Sequence, residues 1–121
     1  MNDHSIELDR RPGRIEVTPA AVAMATSRVV LECYGVVGIA KRRLKHGKAE
    51  LLDDHHYQQG IQIEIHGEQV VVHVYVVVEY GTRISEVAHN IQNAVRDTLM
   101  RMLGAPTVVV NVNVQGLRIS V

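Results

Sequence analysis

One run of the sequence combines acidic and histidine side chains, the residue types that bind zinc and similar metals. It is Asp53-Asp54-His55-His56. Two more histidines, His66 and His73, flank a predicted hairpin and could approach it. Adjacent histidines rarely both reach one ion, however, and the sequence has neither closely paired cysteines nor an HExxH motif. We interpret the run as a polar loop and expect no resident metal; a zinc site is the alternative.

Residues suited to covalent or acid–base catalysis are scarce. Cys33 is the only cysteine, and it falls on the apolar side of the first predicted helix, where a thiol acts as a small core residue. The sequence contains no Gly-x-Ser-x-Gly, P-loop or dinucleotide-binding motif. Carboxylates are scattered, and no spacing forces two of them together. We therefore predict no enzyme activity, no catalytic residue and no cofactor.

Positive side chains are concentrated after the first predicted helix. Five formal cations occur there without an acid among them: Lys41, Arg42, Arg43, Lys45 and Lys48. Such a cluster could bind an acidic partner, phosphate groups or anionic lipid. We expect residues 36–44 to form a strand, so these side chains would alternate between two faces. The alternative is a solvated strand end followed by a loop.

The segment Gly35-Val-Val-Gly38 matches the GxxG pattern of KH nucleic-acid-binding loops. Its central residues are apolar, and it leads into a strand instead of a second helix, so we interpret it as a helix end and a turn. Lys plus Arg and Asp plus Glu balance at 13 each, and the chain has no Phe or Trp to stack on bases. A KH-like nucleic-acid-binding module that uses residues 41–48 is the alternative function; nucleic acid is not the partner we expect.

Residues 60–80 predict a β-hairpin whose register can be derived. Gly67-Glu68 forms a two-residue turn with glycine first, the preference of a type II′ turn. That turn pairs three isoleucines with three valines: Ile65 with Val70, Ile63 with Val72, and Ile61 with Val74. Because side chains alternate along a strand, all six lie on one face, which we assign to the core.

The remaining pattern predicts one α+β domain. Thr18-Pro19 begins a helix that Gly35 ends, and a second helix runs from residues 82–85 to Gly104, with a buried stripe that reaches from Ile84 to Met102. The last strand begins at Thr107. The order β-α-β-β-β-α-β predicts two helices packed on one face of a mixed sheet of about four to five strands. Residues 13–121 form this domain, residues 1–12 a flexible tail, and residues 45–59 a mobile polar loop with a short helical turn near residues 49–52.

A two-layer fold leaves the other face of the sheet without a helix. Its valine, tyrosine and amide side chains suit an interface better than bulk solvent. We predict an interaction face formed by Glu64, Val71, His73, Tyr75, Val77, Asn111, Asn113 and Gln115. The alternatives are that the N-terminal tail or residues 45–59 cover this face, or that it is simply hydrated.

Several segments of the second half occur together in one known family. They are Gly60-Ile-Gln-Ile-Glu-Ile65, Val74-Tyr-Val-Val-Val-Glu-Tyr-Gly81, Ile84-Ser-Glu-Val-Ala88 with Ile91-Gln92, and Val109-Val-Asn-Val-Asn-Val-Gln-Gly116. Across about residues 13–117 the chain resembles the alkaline shock protein (Asp/Gls-type) family of bacterial envelope stress response proteins. It departs from the family at Gln59, where lysine is frequent, and in the run 53–56.

The resemblance implies a non-enzymatic cytosolic protein without agreed catalytic residues. Some members of the family lie at the membrane through a membrane-spanning partner and support envelope homeostasis, and others are linked to lipid-precursor metabolism. We therefore expect a cytoplasmic scaffold protein that forms homo-oligomers and binds a protein partner, such as a small membrane-anchored protein. The first 14 residues lack the apolar run of a signal peptide, and no stretch approaches about 18 apolar residues, so we expect no direct membrane insertion.

Overall fold

Two helices cover one face of a sheet in this α+β chain. The computed structural model describes residues 6–7, 15–104 and 107–119. The strands are β1 (Ile6–Glu7), β2 (Glu16–Val17), β3 (Val36–Ile39), β4 (Ile61–His66), β5 (Gln69–Glu79) and β6 (Thr107–Arg118), and the helices are α1 (Pro19–Leu31) and α2 (Ile84–Leu103). A 3₁₀ turn, Tyr57–Gly60, precedes β4. The predicted fold class and element order are confirmed.

Helix α1 begins where its sequence predicts. The Thr18 hydroxyl oxygen accepts a hydrogen bond from the Ala21 N–H at 3.2 Å, and Pro19 occupies the first turn, where it has no N–H to leave unsatisfied. The buried side of the helix includes Val22 and Val30. After the helix the backbone reverses at Gly35, whose φ of +86° is left-handed. An added Cβ there would lie 2.7 Å from Val87 of α2, so the turn also needs glycine for space.

The predicted hairpin register is confirmed at every pair. Ile61 lies opposite Val74, Ile63 opposite Val72 and Ile65 opposite Val70. Gly67 has a φ of +64° and the φ of Glu68 is not positive, as a type II′ turn requires. Local turn chemistry and the period of two therefore select the same face for the core.

Strand β5 lies in the middle of the sheet. β6 pairs with it in parallel from Gln69 opposite Thr107 to Glu79 opposite Arg118. The antiparallel strands β4 and β3 pair with separate parts of β5, at residues 69–74 and 76–78. A strand has two edges, and β6 occupies one, so β3 and β4 share the other edge end to end. Within the described chain these four strands form a sheet three strands wide.

The core lies between this sheet and the helices. In α2 the buried stripe is Val87, Ile91, Val95, Leu99 and Leu103. The helical period also predicts Ile84 and Met102 in that stripe, but both are exposed. Ile84 is the first residue of α2, and at the other end Leu103 takes the buried position instead of its neighbour Met102. Gly104 ends α2 with a left-handed φ of 64°.

The predicted strand over residues 36–44 is wrong in its second half. β3 ends at Ile39, and the chain reverses through a tight turn in which Lys45 bridges Lys48 and Gly47 has a φ of 75°. The returning segment then pairs with the end of β3: the Leu52 N–H donates to the Ile39 carbonyl at 2.8 Å. This extended pairing replaces the helical turn predicted at residues 49–52, and the short helical turn forms at residues 57–60 instead.

Two residues of the predicted tail, Ile6 and Glu7, form a strand that pairs with β2. β1 pairs with β2 antiparallel, with Ile6 opposite Val17 and Glu7 opposite Glu16. The other residues of the segment 1–12, and residues 13–14 at the start of the predicted domain, lie outside the described residues. The flexible tail and the mobile loop at residues 45–59 stay predictions.

Candidate functional site

The sheet face turned away from the helices, here called the outer face, is built in rows across three strands. The register places Glu64, Val71 and Val109 in one row. The next row is Gln62, His73 and Asn111, and the row after it contains Tyr75 and Asn113. These side chains are half-buried or exposed. The outer face therefore presents an apolar valine pair beside a polar strip.

A hydrogen-bonded cluster crosses the outer face. One carboxylate oxygen of Glu64 lies 3.1 Å from His66 Nε2, and the other lies 2.7 Å from His73 Nε2. His73 Nδ1 lies 3.4 Å from the amide nitrogen of Asn111. With that amide as donor, His73 carries its proton on Nε2 and donates it to Glu64. Four side chains from β4, β5 and β6 are thus held in one arrangement.

The cluster favours the charged form of its carboxylate. The hydrogen bonds from His66 and then His73 lower the pKa of Glu64 below its ordinary value. Both imidazoles point at this acceptor, and neither contacts a hydroxyl or thiol among the hydrogen bonds of the described residues. The geometry suits a fixed recognition surface better than a nucleophile–base pair.

Metal binding has no site in the part of the chain that the structure describes. No three His, Cys, Asp or Glu side chains there are arranged to hold an ion. In the run 53–56, Asp53 accepts contacts from the His56 ring at 2.6 Å and from the His55 N–H at 3.1 Å. These contacts lower the pKa of Asp53, the side-chain bond from His56 most. The run is a locally bonded turn.

Residues 41–52 cover one end of the outer face. Gln115 is the extra residue of a bulge in β6, since Val76 pairs with Val114 and Val77 with Gly116. Its side-chain amide donates to the Lys41 and Arg42 carbonyls, at 3.2 and 2.6 Å. Val77 is only 4% exposed. Two of the eight predicted face residues, Val77 and Gln115, therefore lie under this segment.

The predicted basic residues occupy different surroundings. Lys41 forms an ion pair with Glu50 at 3.4 Å. Arg42 reaches over the outer face, where its guanidinium donates to the Gln62 side-chain oxygen at 3.1 Å. Arg43, Lys45 and Lys48 are exposed in and beside the tight turn. Among the described residues, Arg42 forms no ion pair.

Arg42 also borders a pocket at the edge of the outer face. The pocket has a volume of about 280 Å³ and is lined by Arg42, Gln58, Gln59, Ile61, Gln62 and Tyr75. Alternation along the strands places Gln62 and Tyr75 on the same face, so the sequence pattern predicts that these two residues lie close together. The sequence pattern does not predict that Arg42 joins them, because its position depends on the chain reversal after Ala40.

The remaining sequence candidates have structural roles. The Cys33 thiol donates to the Val29 carbonyl at 3.4 Å, and burial, followed by the charge of Glu32, raises its pKa, which disfavours the reactive thiolate. Gly38 lies under Leu51, which would be 3.0 Å from an added Cβ. The segment 35–38 thus joins α1 to β3 and lacks the open loop between two helices that a KH-type site uses.

The described helices contain no segment that is both long and apolar enough to cross a bilayer.

The chain is similar to known bacterial proteins over almost its whole length. The chain is 39% identical over 117 residues to the uncharacterized protein YloU of Bacillus subtilis, covering 96% of this chain and 98% of YloU. It is 33% identical to the uncharacterized protein Spy1614 of Streptococcus pyogenes, over 95% of this chain and 96% of that protein. No solved structure matches the chain significantly. The model of a family with cell envelope-related function matches residues 7–119, and the chain is therefore a member of the alkaline shock protein 23 family.

Proposed function

We propose that this chain is a non-enzymatic interaction protein that supports the cell envelope by binding a protein partner, and further copies of itself, through the open part of the outer face. The family's cell envelope-related function supports the general role. The proposed location is the cytoplasm, with membrane association through a small membrane-anchored partner. The observation that carries the proposal is the fixed, half-exposed set of side chains on this face.

The composition of the open face supports protein binding. Val71 and Val109 lie directly opposite each other and are half-buried and 36% exposed, respectively. Next to them lie the Glu64–His73 pair and Asn111, with Tyr75 one row further. An apolar centre with hydrogen-bonding groups around it is the usual composition of a non-obligate interface.

The rigidity of the face also supports recognition. Its backbone belongs to three hydrogen-bonded strands, and Glu64, His66 and His73 hold one another in place. Side chains that are ordered before binding lose less conformational entropy when a partner docks, so more of the contact energy appears as affinity.

The test replaces the apolar pair with lysine. Val71→Lys and, separately, Val109→Lys place a charge in the proposed interface while keeping the long side chain solvated before binding. Val77 is unsuitable, because it is buried under residues 41–52 and its replacement would disturb the fold. Met24→Lys is the matched control, since Met24 is 62% exposed on α1, away from the sheet.

Sedimentation velocity of the purified protein over a range of concentrations measures self-association. Quantitative capture from native cells measures partner binding. We expect the wild-type chain and Met24→Lys to form the same oligomers and retain the same partner, and both sheet variants to lose them while keeping the wild-type circular dichroism spectrum. If folded sheet variants sediment and capture partners as the wild type does, the outer face is not the working surface.

A further inference from the structure

The pocket lined by Arg42, Gln58, Gln59, Ile61, Gln62 and Tyr75, here called the Arg42 pocket, combines three kinds of group. Arg42 supplies a guanidinium, three glutamines supply amide donors and acceptors, and Tyr75 with Ile61 supplies apolar wall and a phenolic hydroxyl. Its volume of about 280 Å³ is slightly below that of a typical small-molecule site. The pocket therefore fits a side chain or another small group of a larger ligand.

The positive charge of Arg42 favours an anionic ligand in the pocket. The guanidinium of Arg42 has five N–H donors, and its side-chain acceptor within the described chain is the neutral Gln62 oxygen at 3.1 Å. Of its two neighbours in sequence that are cations, Lys41 pairs with Glu50 and lines a different pocket, and Arg43 is not among the residues that line the Arg42 pocket. The carboxylate of Glu64 accepts from two imidazoles and is not among the lining residues. The planar fork of Arg42 is thus available to a ligand.

The number of cations distinguishes between anions. A single guanidinium among the lining residues matches the single charge and planar oxygens of a carboxylate, which it can bind with two parallel hydrogen bonds. A phosphate dianion is usually held by more than one cation or by a helix N-terminus, and the described residues that line this pocket supply neither. The amides of Gln58, Gln59 and Gln62 have the donors and acceptors that a peptide backbone beside such a carboxylate would need.

We propose that the Arg42 pocket binds the carboxylate of an acidic side chain on a peptide segment of the partner protein. This inference rests on the proposed function, because it names the chemistry by which the partner is anchored at the edge of the outer face. Arg42 pairs with the carboxylate, Tyr75 packs against the aliphatic part of the acidic side chain, and the glutamines bind the adjacent peptide groups.

Titration of the ¹⁵N-labelled chain, followed by nuclear magnetic resonance, tests the proposal. The probe is the blocked tripeptide acetyl-Gly-Glu-Gly-amide, and its matched control is the same peptide with glutamine in place of glutamate. We expect saturable shifts at the backbone amides of Arg42, Gln62 and Tyr75 with the glutamate peptide, and binding at least about tenfold weaker with the glutamine peptide, since only the former gives charge-assisted bonds.

Variants separate the pocket from general electrostatics. Arg42→Gln should weaken binding of the glutamate peptide at least about tenfold. Arg43→Gln removes the same charge one residue away, outside the pocket lining, and should leave binding unchanged. Equal binding of the two peptides, an Arg42→Gln variant that binds as the wild type does, or no saturable shift overturns the proposal. Tighter binding of inorganic phosphate than of the glutamate peptide also overturns it, in favour of a phosphate site.

Failure of the Arg42 pocket and failure of the outer face as the interface give different results. If Val71→Lys loses the native partner and the peptide does not bind, the outer face stands as the interface and the Arg42 pocket is not its anchor. If the peptide binds through Arg42 while Val71→Lys retains partner and oligomer, the pocket is real and the proposed interface is wrong.

Discussion

Glu64 of β4 and His73 of β5 meet at 2.7 Å as diagonal neighbours on the outer face. The same carboxylate also binds His66, and His73 continues to Asn111 of β6. One carboxylate therefore connects side chains from three strands on the face opposite α1 and α2. This arrangement makes the polar strip of the outer face an ordered surface.

The first prediction concerns the pH dependence of stability. The pKa of Glu64 is lowered in the folded chain, so the unfolded state binds its proton more readily, and the charged form stabilises the fold. That contribution is present above the ordinary pKa of 4.5 and is lost as the pH falls through the lowered folded value. The stability advantage of the wild type over Glu64→Gln should shrink as the pH falls below 4.5, in urea unfolding from about pH 6 to about pH 3. Glu68→Gln, in the exposed turn, is the control, and a constant advantage of the wild type over Glu64→Gln at all pH values contradicts this role of the carboxylate.

The second prediction concerns the point where β3 and β4 meet end to end. A Cβ added to Gly60 would lie 2.2 Å from the Ala40 carbonyl oxygen and 2.5 Å from the Ile39 side chain. Gly60→Ala must move backbone, and we expect a loss of about 3 kcal/mol in the free energy of unfolding by urea. In Gly116→Ala the new Cβ would meet the Ala49 Cβ at 3.3 Å, so the loss should be smaller. A loss below about 1 kcal/mol in Gly60→Ala would show that the strand junction does not require glycine.

The third prediction concerns the segment that covers Val77. Gln115→Ala removes the amide that binds the Lys41 and Arg42 carbonyls. We expect a loss of about 1–2 kcal/mol in the free energy of unfolding and faster tryptic cleavage after residues 41–43, because the freed segment opens more often. Gln92→Ala removes one comparable bond, to the Val110 carbonyl, at a place remote in sequence from this segment. If both variants are cleaved at residues 41–43 at the same rate, Gln115 does not hold the segment down.

The sequence predicts the hairpin well because its information is local. Gly67-Glu68 and the alternating Ile and Val residues lie within 14 residues, from Ile61 to Val74, and both specify one register. The same alternation gives the rows of the outer face. It could not give the burial of Val77, since that depends on residues 41–52 returning past Ile39.

The Arg42 pocket shows the same limit. Its lining combines residue 42, residues 58–62 and residue 75, and no period relates these positions. The bulge at Gln115 shifts the register of β6 by one residue and binds the segment that carries Arg42. Such contacts between distant segments arise from tertiary packing, so the pattern of a single segment does not contain them.

The most direct measurement of whether the outer face is the working surface is site-specific photocrosslinking in native cells. A photoreactive amino acid is placed at position 71 or 109 on the outer face, or at position 24 on α1, and the crosslinked proteins are identified by mass spectrometry. We predict discrete crosslinks from positions 71 and 109, to the same partner or to a second copy of the chain, and none of these from position 24. Folded variants that give no crosslink from the outer face, or the same products from position 24, would contradict the proposed function.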